Sequence, residues 1–498
     1  MRRPVTEPLW TLGEIVAATG GSCLGERDTP AAGLSIDSRS LRPGEAFIAI
    51  RGVKREGHAF TADALAKGAS LAIVDKTYPS GDEARLVRVG DTLEALRNLG
   101  AAGRSRAKDT VVIAITGSAG KTGTKNALRL ALGASGSVHA SAKSFNNHWG
   151  VPLSLANMPK ATRFGAFEIG MNHTGEIAAL VPLVRPHIAI ITTIAPAHLG
   201  YFRSVEEIAD AKAEIFQGLE PGGAAVIDRD NPYYERLKSH ALKSNARIVG
   251  FGEAQDAAAR LLDVALLADQ SNVTADILGA RISYRLGAPG RHFVQNSLAV
   301  LAAAKLAGAD LGAAANALGA VRADAGRGSR SLISVKGGRV LVIDESYNAN
   351  PASVRAALST LGLTPRNEFK RRVAVLGDML ELGAEGPKLH RDLAEFIDGA
   401  GVDVVFACGE LMKSLYEALP ESRQGAYAKT SAELQPKLME AIAAGDAIMV
   451  KGSHGSQLAP LVEALKRLDQ MSGFKGVISA AWRIVSGANS VPGDAARN

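Results

Sequence analysis

The chain has 498 residues, of which 46% are hydrophobic and 21% charged, with a net charge of +7. At roughly 100–200 residues per domain this length predicts about three domains, each able to bury a core. Two cysteines, Cys23 and Cys408, exclude a disulfide framework or a cysteine-based zinc site; scattered basic residues and 5% aromatics argue against a nucleic-acid partner; and neither the Met1-Arg2-Arg3-Pro4 start nor the Leu298–Ala309 run, broken by Lys305, carries a secretory signal or transmembrane segment.

What remains is a cytoplasmic multidomain α/β protein. Short β-rich runs alternate with Ala/Leu-rich helical patterns, the signature of βαβ units and mostly parallel sheets. Residues 1–106 are predicted to form a small α/β unit, with a strand at Ala46–Ile50 after the Pro43-Gly44 turn and a helical pattern over Ala62–Gly68. The small, charged stretch Ala101–Asp109 suits a linker. A second unit, 107–330, opens with the all-apolar Val111–Ile115, expected of a strand covered on both faces. It continues through strands at Ile188–Ile194 and Ala224–Ile227 to a long helix around Val294–Leu306, and Arg322–Ser331 reads as the next linker. A third unit, 331–470, repeats strand–loop–helix at Arg339–Ile343, Arg372–Leu376, Val402–Ala407 and Asp446–Val450. Residues 471–498 form a Gly/Ser/Ala-rich tail in which Phe474, Val477, Ile478, Ala481, Trp482 and Val485 have helical spacing, better suited to a helix packed on the third unit than to a membrane surface.

The strongest local motif is Thr116-Gly117-Ser118-Ala119-Gly120-Lys121-Thr122, between the Val111–Ile115 strand and a helical pattern at Ala127, Leu128, Ala131 and Leu132. A glycine loop in that context turns backbone N–H groups toward phosphate oxygens at the positive end of a helix. Lys121 would reach the β/γ-phosphates and the Thr122 hydroxyl would bind Mg²⁺; the usual first glycine is replaced by Ile115, so the loop is a variant. Glu168 ends the apolar Phe164–Phe167 stretch and His198 follows the Ile188–Ile194 strand, both plausible metal ligands at strand ends. In Ser204–Leu219 the apolar Val205, Ile208, Ile215, Phe216 and Leu219 share one helical face, and Lys212 lies on the same stripe. A lysine there either snorkels outward or is desolvated, and desolvation frees its amine for chemistry.

Taken together these residues resemble the Mur ligase family of ATP-dependent amide-bond ligases, over about Ser35 to about Leu465. The segments that carry the resemblance are Asp37-Ser38-Arg39, the 116–122 loop, Asn146-Asn147-His148, Glu168-Ile169-Gly170-Met171-Asn172-His173 and Ala195-Pro196-Ala197-His198-Leu199, then 344–351 (DESYNANP) and 376–383 (LGDMLELG). The last two resemble the family type that adds D-alanyl-D-alanine to UDP-N-acetylmuramoyl-tripeptide, and no Asp-Asn-Pro-Arg of the sister ligases is present. The resemblance implies an N-terminal UDP-sugar-binding domain, a central P-loop ATPase domain and a C-terminal Rossmann-like domain, acting as a monomer on ATP with Mg²⁺ at two sites. By match, Thr116, Gly117, Ser118, Ala119, Gly120, Lys121 and Thr122 would bind nucleotide with Asn296, Arg327 and Asp344. Thr122, Glu168, His198 and a carbamylated Lys212 would hold metal; Ser38, Arg39, Asn146, Asn147, Asn348 and Asn350 would bind the UDP-sugar peptide and dipeptide. Two departures concern substrate contacts: Glu56 stands where many relatives have Asp, and His454 where an arginine is frequent. A P-loop switch or nucleic-acid ATPase would need a concentrated basic face and gives the first unit no task.

Overall fold

A computed structural model describes residues 8–52, 56–142, 144–197 and 199–469. His198, named above as a metal ligand, and the tail from 471 lie outside the described residues. Apart from a two-stranded antiparallel pair, Trp10–Thr11 with Pro30–Ala31, three sheets follow one another along the chain, as the alternating strand and helix patterns predict. The first is a four-stranded parallel sheet in the order Leu34–Ser35, Ala46–Ile48, Leu71–Asp75, Leu86–Val89. The helices Leu12–Thr19 and Thr92–Arg106 accompany it; Thr11 caps the first in a reciprocal capping box with Glu14, and Asp91 caps the second.

The second sheet has nine strands. Its parallel part runs Val138–Ala140, Phe164–Glu168, Val111–Thr116, Ile188–Ile191, Ala224–Asp228, Arg247–Gly252 and Ala259–Leu266, and Ser271–Ile277 and Ala280–Leu286 add an antiparallel edge. The apolar run at 111–115 is explained by alternation: successive strand residues face opposite sides, and both sides are covered. Ile113 and Ile115 pack with Leu128, Val294 and Leu298 on one side, while Val112 and Ala114 pack with Val151, Ile177 and Ile215 on the other. The strand expected to reach Ile194 ends at Ile191, because Thr192 and the residues after it turn toward the phosphate loop.

The third sheet runs Ser329–Val335, Gly338–Glu345, Asp446–Lys451, Arg371–Gly377, Val404–Cys408, Gln424–Ala428, parallel except for its first pair. It therefore begins at Ser329, inside the stretch the sequence assigns to a linker. Ser329 pairs with Asp344, and a hairpin with both strands in register draws the end of the linker into the sheet. Among the described residues no helix is long and apolar enough to cross a membrane.

One strand end bears directly on the site. Asp228 closes Ala224–Asp228 and is buried, accepting a hydrogen bond from the Asp230 N–H at 3.1 Å, while Asn231 donates to Thr193 Oγ1 at 3.1 Å and to the Ile194 carbonyl at 2.9 Å. Desolvation outweighs those hydrogen bonds and pushes the Asp228 carboxyl up to about 7. Because its folded-state value lies above that of the unfolded chain, the folded state keeps a proton that the unfolded chain has already released, so stability falls from about pH 4 to about 7 and levels off above. Asp228→Asn removes the titration. Calorimetric melting should therefore show the variant gaining on wild type between about pH 4 and 7, by up to a few kcal/mol, and running parallel to it above about pH 8; parallel pH slopes throughout would contradict the assignment.

Candidate active site

The loop 117–120 joins the strand Val111–Thr116 to the helix Lys121–Gly133. Gly120 has φ +83°, where an L side chain is strained, and a Cβ there would lie 2.7 Å from Asn296 Nδ2. No side chain caps the helix, so its first-turn N–H groups are directed into a cavity of about 610 Å³. That cavity receives residues from the second and third sheets and the connection between them. It is lined by Ser118, Ala119, Gly120, Lys121 and Thr122 of the loop, by Asn146, Glu168 and Asn296, by Arg327, and by Asn348 and Asn350. Most of the residues predicted from sequence are thus brought to one place.

Glu168 is organised by two donors. Thr122 Oγ1 donates to Oε2 at 2.9 Å and Asn146 Nδ2 to Oε1 at 2.7 Å, so Asn146 orients the carboxylate from a position that also faces the cavity. The Lys121 ammonium donates to the Gly117 carbonyl at 2.7 Å. Its proton affinity is lowered by poor solvation, partly offset by Glu168 and reinforced by the nearby Arg327 guanidinium. Arg327 donates to Ser144 Oγ at 3.2 Å and stacks 4.0 Å over the Tyr347 ring, which fixes a linker cation over the cavity.

Lys212 does not snorkel. It is 1% exposed on the helix Val205–Ala213, and its pKa is lowered well below the ordinary lysine value by burial and then by repulsion from Lys121. The second effect also locates it: its charge is close enough to interact with that of Lys121. No group of three or more His, Cys, Asp or Glu that could hold a metal occurs among the described residues.

Other expected residues are placed elsewhere. Thr116 ends its strand, and its carbonyl accepts from Thr192; the Gly117 carbonyl serves Lys121, and neither residue lines the cavity. Asn147 is taken up locally, its Oδ1 accepting from the Trp149 and Gly150 N–H groups. Ser38 is buried and Arg39 exposed in the first unit, where Arg39 makes a bidentate pair with Asp37 at 2.9 and 2.7 Å. Asp344 faces away from the cavity. Its carboxylate accepts from the Gly326 N–H at 2.9 Å, the Ser346 N–H at 3.1 Å and the Ser346 hydroxyl at 2.6 Å, so it fastens the linker to the third sheet. The strand alternation instead turns Glu345 to the cavity, where its Oε2 lies 3.3 Å from the buried Lys451 ammonium.

Glu345, Lys451 and His292 are cavity residues that sequence reasoning missed. His292 and Phe293, adjoining rings 4.4 Å apart at the start of the helix Arg291–Leu306, line the wall near Asn296. Burial and the Lys451 charge push the His292 imidazole down to about 4, leaving it neutral at physiological pH. The departures from the family pattern are accommodated locally: Glu56 lies 2.6 Å from His58 Nδ1, and His454 meets Tyr347 edge-on.

A glycine loop, an uncapped helix start, a strand-end carboxylate and a second α/β unit over the same cavity define a nucleotide-dependent ligase architecture. The chain matches three family models in order: "Mur ligase family, catalytic domain" over 30–104, "Mur ligase middle domain" over 115–304 and "Mur ligase, glutamate ligase domain" over 331–454. It is 35% identical over 432 residues to a UDP-N-acetylmuramoyl-tripeptide–D-alanyl-D-alanine ligase of Rickettsia prowazekii (strain Madrid E), covering 86% of this chain and 94% of that one. The ligase of the same name from Escherichia coli (strain K12) is 32% identical, with 92% and 98% covered. A crystal structure of MurF from Acinetobacter baumannii superposes with a TM-score of 0.80 at 30% identity, over 92% of this chain and 99% of that one. The chain belongs to the Mur ligase family.

Lys121→Ala should lower turnover by more than tenfold, in line with the powers of ten such phosphate-stabilising groups supply, with circular dichroism unchanged. ADP release measured on the purified variant checks this, and a rate above about a tenth of wild type would contradict the role.

Proposed function

We propose that the chain joins D-alanyl-D-alanine to UDP-N-acetylmuramoyl-tripeptide at the expense of ATP, in cytoplasmic peptidoglycan precursor synthesis. The observation that carries this reading is the cavity itself, in which the phosphate loop and Glu168 of the second sheet face Glu345, Asn348, Asn350 and Lys451 of the third. A switch or motor has no need of that opposed set, whereas a ligase must bring three reactants together and exclude water. The names of relatives that span nearly the whole chain support the same substrates. One chain supplies all the opposed residues, so the working unit is taken as a monomer.

A carboxylate is a poor electrophile. Attack of its oxygen on the γ-phosphorus, with loss of ADP, makes an acyl phosphate; the dipeptide amine then adds to the acyl carbon, loses a proton and expels phosphate. The protein's contribution is positioning and charge. The uncapped N–H groups of the helix Lys121–Gly133, the Lys121 ammonium and the Arg327 guanidinium converge where negative charge builds. Asn296, with the neutral His292 and Phe293, is suited to the base of the nucleotide. Bound Mg²⁺ would neutralise phosphoryl charge, and Thr122 Oγ1 and Glu168 Oε2 are the oxygen donors such a hard cation takes. Ser38 and Arg39 are assigned to the UDP-sugar end, with Asn348 beside the incoming peptide.

Lys212 is assigned as a carbamate. Its lowered proton affinity supplies the neutral amine that adds to carbon dioxide, forming an N–C bond and releasing a proton. As a carbamate the position carries −1 where a protonated lysine would carry +1, and with His198 it would provide for a second Mg²⁺.

Two measurements test the reading. ADP release should require both the UDP-linked tripeptide and D-alanyl-D-alanine, with the pentapeptide product seen by mass spectrometry; release stimulated by nucleic acid alone would overturn it. Lys212→Ala should be nearly inactive and partly restored by a short carboxylic acid, and Lys212→Arg should stay inactive. Normal turnover by Lys212→Arg would remove the carbamate from the account.

A further inference from the structure

Among the described residues, two direct hydrogen bonds join the third unit to the loops of the second that surround the phosphate site. In one, Asn350 Nδ2 donates to the carbonyl of Ser118 at 3.2 Å. The aim of that amide is fixed from its own side: Asn350 Oδ1 accepts from the Ser353 N–H at 2.9 Å, and the Ser353 hydroxyl accepts from the Asn350 N–H at 3.0 Å, a capping box that starts the helix Pro351–Gly362. Ser118 is equally committed. Its N–H donates to the Thr193 carbonyl at 2.9 Å, its hydroxyl donates to the Ala195 carbonyl at 2.9 Å, and the same hydroxyl accepts from the Ala195 N–H at 3.0 Å. Every polar group of this phosphate-loop residue is therefore bonded, and only its carbonyl reaches across to the third unit.

The other hydrogen bond runs from the Gly200 N–H to the Glu381 carbonyl at 2.8 Å. Glu381 has φ +63° and Gly383 φ +59°, so this turn of the third unit takes two left-handed residues, one of them not glycine, to meet Gly200. A Cβ at Gly383 would lie 3.6 Å from Gly200 Cα, so the two backbones approach closely. The third unit thus touches the segment between Ala195 and Gly200 at both ends, directly at Gly200 and through Ser118 at Ala195.

We propose that Asn350 is a positioning residue that transmits the seating of the third unit to the phosphate loop, so that the loop takes its reactive geometry only when the cavity is closed. The inference rests on the ligase reading above, because that reaction gains from delaying phosphoryl transfer until water is excluded. A single hydrogen bond to a carbonyl contributes little to stability. Its effect on rate can be far larger, since a displacement of about 1 Å at reacting groups can cost on the order of a hundredfold.

Asn350→Ser and Asn350→Asp separate this role from the helix cap. Both residues are good N-caps, yet serine is too short to reach Ser118 and an ionised aspartate has no proton to donate. Three quantities are measured on the full chain: kcat for product formation, Kd for ATP by calorimetry, and Tm. The latch predicts a fall in kcat of about 10- to 100-fold in both variants, with ATP affinity within about twofold and Tm within a few degrees of wild type. A fall in ATP affinity as large as the fall in kcat would make Asn350 a direct nucleotide contact and overturn the proposal, as would wild-type kcat. Wild-type chain that forms no amide product would overturn the ligase reading and the latch with it.

Discussion

Two lysines held largely out of water, Lys121 in the phosphate loop and Lys212 on the helix Val205–Ala213, set the terms for the rest of the site. Lys212 is removed from water almost completely, and Lys121 is poorly solvated in the phosphate loop. Burial on this scale favours the neutral amine at Lys212, whereas the Lys121 charge is balanced by identifiable neighbours. Glu168 offsets the Lys121 charge and is itself held by Thr122 and Asn146. The Gly117 carbonyl takes a proton of the Lys121 ammonium. Ser204 caps the helix that carries Lys212, its hydroxyl accepting from the Glu207 N–H at 3.3 Å, so the buried amine is carried on a properly started helix.

The three sheets divide this work. The second supplies the phosphate loop at the carboxyl ends of parallel strands, where ligands of open α/β sheets bind. The third supplies groups that meet the loop from above, and the linker between them is itself structured. Asp344 fastens Gly326, Arg327 packs on Tyr347, and Asn126 donates to Asp324 at 2.5 Å. The connection therefore holds one relative arrangement of the two units by side-chain contacts from each, and the cavity depends on that arrangement.

The phosphate loop is legible in the sequence because it is local: strand, glycines, lysine and helix are contiguous. Lys212 is legible as an irregularity in an apolar stripe, although periodicity favours snorkelling there and only packing shows the side chain buried. Asp344 and Glu345 show where a motif is insufficient. Both are acidic and adjacent, and the parity of the strand, fixed by pairing of Ser329 with Asp344 and of Glu345 with Lys451, decides which one faces the cavity. The antiparallel edge at 259–286 was not legible, since Arg260, Asp263, Arg281 and Arg285 interrupt its apolar residues on strands with one solvated face. The Asn350–Ser118 contact could not be read at all: its partners are 232 positions apart, and both residues have local uses that account for their presence.

The central claim is that the cavity activates a carboxylate by phosphoryl transfer. The most direct measurement supplies UDP-linked tripeptide with ¹⁸O in its terminal carboxylate, ATP and D-alanyl-D-alanine, and follows the label. An acyl phosphate requires one ¹⁸O to leave with inorganic phosphate for each amide bond formed. Amide product accompanied by unlabelled phosphate would contradict the account.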